Sequence, residues 1–114
     1  MSENSPIYKV FTGKDGGFRL TLKNEDGTDM ADHTVVQRLI LQVGIEGAFQ
    51  NSNIDQVDSQ SDPDSFDLTI PAGVNVMLGD IGLPNGRYLC RLITFVESSV
   101  NGYAQPDPIE IEVR

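Results

Sequence analysis

The sequence predicts an all-β sandwich of about seven antiparallel strands, and three observations carry that prediction. Apolar residues recur with a period of two, the spacing of half-buried strands. Gly, Asn, Asp and Pro separate the alternating runs at short intervals, as turns require. No stretch keeps helical periodicity over three turns.

The elements follow in order. Phe18, Leu20 and Leu22 alternate with Arg19, Thr21 and Lys23, and Asn24-Glu25-Asp26-Gly27-Thr28 supplies an Asp-Gly turn behind them. Thr34 to Val43 is rich in Val, Leu and Ile. Val35, Gln37, Leu39, Leu41 and Val43 share one face, with Val36 and Ile40 on the other. Apolarity on both faces predicts a central strand. Phe66, Leu68 and Ile70 alternate with Asp67 and Thr69 until Pro71-Ala72-Gly73 ends the run. Pro84-Asn85-Gly86 reads as a tight turn that opens a long strand from Arg87 to Val96. Ile109, Ile111 and Val113 alternate with Glu110, Glu112 and Arg114, and this last strand is expected to be exposed. The best helix candidate is Val74 to Ile81, where Val74, Met77, Leu78 and Ile81 recur at helical spacing. Gly73, Gly79 and Gly82 would limit it to about two turns.

At 114 residues and 12.5 kDa the chain fits one domain. Residues 7–114 are expected to form a single sandwich, preceded by a mobile tail over 1–6. Residues 50–65, polar and acidic, read as a long loop. The start Met1-Ser2-Glu3-Asn4-Ser5-Pro6 lacks the basic and apolar regions of a secretory signal. No apolar run approaches the roughly 20 residues that span a bilayer.

Seventeen acidic residues against eight basic ones give a net charge of -9. Phosphate contacts need clustered Lys and Arg, so no nucleic-acid partner is expected, and anionic membranes are disfavoured for the same reason. Cys90 stands alone, which excludes an internal disulfide or a multi-cysteine zinc site.

The chemistry-bearing residues do not form a motif. Asp55, Asp58, Asp62, Asp64 and Asp67 offer carboxylates that calcium prefers, but Asp62-Pro63-Asp64-Ser65-Phe66-Asp67 lacks the glycine and glutamate of a helix-loop-helix calcium site. A solvated acidic loop is expected, with no metal and no cofactor. His33 is expected at an exposed turn, without the Gly-x-Ser-x-Gly elbow that would give it a nucleophile. Cys90, mid-strand between Leu89 and Arg91, is expected to be a buried and unreactive thiol. Lys14-Asp15-Gly16-Gly17 lacks the ending of a phosphate loop and reads as a turn. With no catalytic set, the chain is expected not to be an enzyme.

The strand order adds a resemblance. Gly17-Phe18-Arg19-Leu20-Thr21-Leu22-Lys23-Asn24-Glu25-Asp26-Gly27-Thr28 resembles the start of the N-terminal domain of phage baseplate upper proteins. Leu83-Pro84-Asn85-Gly86-Arg87-Tyr88-Leu89-Cys90-Arg91-Leu92-Ile93-Thr94-Phe95 looks like the Gly-x-Tyr strand of small immunoglobulin-like phage virion proteins. Asn101-Gly102 and Ile109 to Arg114 continue that pattern. The resemblance implies an immunoglobulin-like sandwich and a virion structural module, made in the host cytoplasm and docked on other phage proteins in the tail, fibre-attachment region or capsid. It would act in several copies, as a homo-oligomer within the particle. A capsid decoration protein and a sugar- or receptor-binding module are the alternatives. Expected partner contacts are Asp55, Asp58, Asp62, Asp64, Tyr103, Ile109 and Ile111, with Tyr103 and the acidic loop together at one end of the sandwich.

Overall fold

The computed structural model describes residues 7–11, 17–44, 55–78 and 85–114. The fold is an all-β sandwich. The strands are β1 (Ile7–Val10), β2 (Phe18–Leu20), β3 (Arg38–Val43), β4 (Asp55–Asp58), β5 (Phe66–Asp67), β6 (Val74–Val76), β7 (Gly86–Val96), β8 (Ser99–Ala104) and β9 (Ile109–Val113). The large sheet runs β1-β9-β7-β3-β4, with β8 also paired to β7, and the small sheet runs β2-β6-β5. The succession β9-β7-β3-β4 opposite β2-β6-β5 corresponds to the strand order of immunoglobulin-like sandwiches.

The period-two reading explains the core. Leu39, Leu41 and Val43 on β3, Cys90 and Leu92 on β7, and Ile111 and Val113 on β9 face Leu20, Val74 and Val76 across the sandwich, all nearly without exposure. The long strand β7 organises the large sheet. One flank pairs with β3 from Cys90 to Phe95. The other takes β9 along Gly86–Cys90 and then β8 from Ile93 onward, so β8 and β9 share one position in the sheet. At the far side Tyr8 of β1 stacks on Phe18 of β2, ring centroids 4.5 Å apart, joining the two sheets.

Several expectations are corrected. The helix candidate at Val74 begins as strand β6, whose Val74 and Val76 are fully buried; Gly79, Ile81 and Gly82 lie outside the described residues. The strand expected from Thr34 begins only at Arg38. The Asp32 carboxylate accepts from the Thr34 N–H and hydroxyl, turning His33–Val35 into a 3₁₀ segment. Val35 is thereby turned outward at 52% exposure while Val36 is buried, the reverse of its predicted face. The strand at Phe66 is two residues long, because Asp67 captures the Thr69 N–H and hydroxyl in the same way. Residues 55–58 of the supposed acidic loop form β4, paired antiparallel with β3. The last strand is not exposed: β9 lies between β1 and β7, with Ile109, Ile111 and Val113 buried. Its partner β1 runs parallel to it, so the sheet is not wholly antiparallel.

The tail over 1–6, the turn residues Lys14–Gly16, residues 50–54 of the acidic segment and Pro84 lie outside the described residues. No helix among the described residues is long and apolar enough to cross a membrane.

Candidate functional site

Each group with chemical potential is best judged by what already occupies it. His33 is 2% exposed, not the exposed turn residue that its neighbours Asp32 and Thr34 suggest. Its Nε2 accepts from the Leu22 N–H at 2.8 Å, and its Nδ1 lies 2.9 Å from the Pro71 carbonyl. A ring nitrogen that accepts an amide proton leaves the other to donate, so this is the neutral Nδ1–H tautomer. The His33 N–H also donates to the Pro71 carbonyl, at 3.0 Å. The ring is therefore a cross-link between the end of β2 and the loop before β6, with neither nitrogen available to a substrate.

Cys90 is fully buried on β7, as its place between Leu89 and Arg91 predicts. Burial pushes its thiol up to about 12, which keeps it protonated and unreactive at neutral pH.

Tyr103 of β8 is half-buried. Its hydroxyl donates to the Lys23 carbonyl at 2.9 Å. Burial first, then the negative charges of Glu25 and Asp26, hold the phenol above its usual range. Beside it Gln105 acts as a substitute strand. Its Oε1 accepts from the Lys23 N–H at 2.8 Å, and its Nε2 donates to the Lys23 carbonyl and to Thr94 Oγ1, each at 3.0 Å. Both main-chain groups of Lys23 are thus paired by one side chain. The Ser99 hydroxyl donates to Glu25 in the same region. Together these bonds latch β8 onto the Lys23–Asp29 turn.

The expected contact residues do not assemble into one surface. Asp58 faces outward from β4 and is paired in a fork with Arg38, whose guanidinium sits 5.1 Å from the Phe95 ring centroid. The Arg38 hydrogen bond holds the Asp58 carboxyl below the usual carboxylate range. Asp62 and Asp64 are exposed at the 3₁₀ segment Pro63–Ser65, and Asp55 begins β4. Tyr103 pairs with Thr94 in the row of Leu39, on the inner side of the sheet, whereas Asp58 lies in the row of Ile40 on the outer side. Between them stand β3 and β7, a span of about 14 Å. Ile109 and Ile111 are core residues.

Among the described residues no three His, Cys, Asp or Glu side chains come together as a metal site would need. Sequence reasoning found the Asp26-Gly27 turn but missed Gln105 and the Asp-to-Thr bonds that close Asp26-Gly27-Thr28, Asp32-His33-Thr34 and Asp67-Leu68-Thr69. In each turn the carboxylate accepts from the N–H and hydroxyl of the Thr two residues on. The repeated Asp-x-Thr spelling was the available signal.

What remains for contact is main chain and surface. Among the described residues β1, β4 and β8 each pair on one side only in the large sheet, as β2 and β5 do in the small one. Comparison of the chain with protein families, curated proteins and solved structures found no match.

Proposed function

We propose that this protein is a non-enzymatic structural component of a bacteriophage virion, docking in multiple copies at the tail or fibre-attachment region. The observation that carries the reading is the commitment of its reactive side chains to the fold. His33 bonds two main-chain groups, Cys90 is sealed in the core, and Tyr103 holds Lys23. What the molecule offers outward, among the described residues, is a pair of sheets with outer strands paired on one side and a charged surface, the equipment of a protein that works by contact. The placement on a phage particle rests on the resemblance of the Gly17–Thr28 and Leu83–Phe95 segments. A capsid decoration protein would use the same edges. A sugar-binding role gains nothing from Tyr103, whose hydroxyl is already bonded.

Cryo-electron microscopy of purified particles, with mass spectrometry of their proteins, tests the proposal. The expected result is sandwich-shaped density repeated by the particle symmetry. Absence of the protein from intact particles would overturn the reading.

A further inference from the structure

The outer face of the large sheet differs from the rest of the surface. Alternation points Lys9 of β1, Glu110 and Glu112 of β9, Arg87, Leu89, Arg91, Ile93 and Phe95 of β7, Arg38 and Ile40 of β3 and Asp58 of β4 away from the core. Arg114, whose N–H donates to the Val10 carbonyl, continues β9 and meets Glu112 on this side. Five of the eight basic residues of the chain thus lie with three carboxylates, although the whole chain carries -9. At the centre Ile40 lies opposite Ile93, and Phe95 lies two residues along β7. All three are half-buried. Gly102 on β8 keeps the ring open on one flank, because a Cβ there would stand 2.7 Å from Phe95 Cε2.

The complementary surface is in the same molecule. From residue 39 to residue 86 the sequence has no Lys or Arg. Of its acidic residues Asp58 belongs to the Arg38 pair on the face itself, and Asp62, Asp64 and Asp67 are the others whose side chains are described. Asp62 and Asp64 stand exposed at the turn beyond β4. Two copies meeting by the same face would set arginine against arginine. A face meeting this tip sets arginine against aspartate.

From this charge pattern we infer that the outer face of the large sheet receives the Asp62–Asp64 tip of a second copy, in a head-to-tail contact. Such a contact is heterologous and propagates into a ring or a filament. An apolar centre with an arginine rim is the composition of a protein interface, and the charges supply its orientation. The inference deepens the proposed multi-copy role and rests on it for its biological setting, but its chemistry is testable on the purified chain.

The test is sedimentation equilibrium of the wild type, of Arg87→Glu/Arg91→Glu and of Asp62→Lys/Asp64→Lys, each checked by circular dichroism for the wild-type spectrum. At about 20 mM salt, where screening extends over roughly 20 Å, the wild type is expected to gain mass with concentration. The gain should vanish near 1 M salt, where the screening length is about 3 Å. Each variant alone should stay monomeric. Mixed together they should associate, because each then offers the other an opposite charge at both surfaces. A wild type that stays monomeric at low salt, or variants that associate alone as the wild type does, would overturn the interface. Folded variants whose mixture stays monomeric would also overturn it. Failure here leaves docking onto a different virion protein intact, whereas absence from particles removes the virion role and leaves the self-contact standing.

Discussion

The two sheets are held together by different means. In the large sheet β3 and β7 pair over six residues, and β7 and β9 over five, above a continuous buried row of Leu39, Leu41, Leu92 and Ile111. In the small sheet β2 pairs with β6 over three residues and β5 with β6 over two. Ladders that short are marginal by themselves. There the side chains complete the main chain: His33 ties Leu22 to Pro71, Gln105 pairs Lys23, and the three Asp-x-Thr turns fix the loop ends. Apolar burial builds the first sheet. Directed polar bonds finish the second.

The comparison predicts a ranking of substitutions. Leu41→Ala, at a fully buried position central to the large sheet, should cost roughly 2–5 kcal/mol through lost transfer energy and the cavity left behind. Urea denaturation monitored by circular dichroism measures it. His33→Ala should cost about 2–3 kcal/mol, because the Leu22 N–H and the Pro71 carbonyl lose a buried partner. A cost below that of an ordinary surface substitution would show that the cross-link is dispensable. Gln105→Ala removes the paired partner of Lys23 and should cost about 1–2 kcal/mol, visible as a lowered Tm.

The smallest effect is a matter of pH. The Thr hydroxyl and N–H lower the carboxyls of Asp26, Asp32 and Asp67. A carboxyl lowered in the folded state stabilises the fold above its unfolded value, near 4, and that contribution is lost as pH falls through the folded value. Thermal melts between pH 6 and about pH 2 should therefore show stability declining below about pH 4. The triple substitution of these aspartates by Asn, which keeps an acceptor but does not titrate, should flatten part of the decline.

This contrast also explains what could be read from the sequence. The alternation at Phe18–Leu22, Arg87–Val96 and Ile109–Val113 was visible because a half-buried strand repeats every two residues. Strands β1, β4, β6 and β8 were missed because they are short or polar and gain their pairing from distant neighbours. The exposed reading of β9 failed for that reason: Ile7–Val10, far off in sequence, covers it. Cys90 was legible as a core residue. His33 was not, since its local sequence is a turn and its burial depends on Leu22 and Pro71 arriving from either side. Val35 and Val36 exchanged faces because the Asp32 carboxylate, accepting from the Thr34 N–H and hydroxyl, turned the chain.

Residue-resolved amide hydrogen exchange of wild type and His33→Ala tests the division most directly. Leu39, Leu41, Leu92 and Ile111 should retain most of their protection in the variant. Leu20, Leu22, Val74 and Val76 should exchange far faster, as the small sheet opens apart from the large one. Equal loss of protection in both sheets, or none in either, would contradict it.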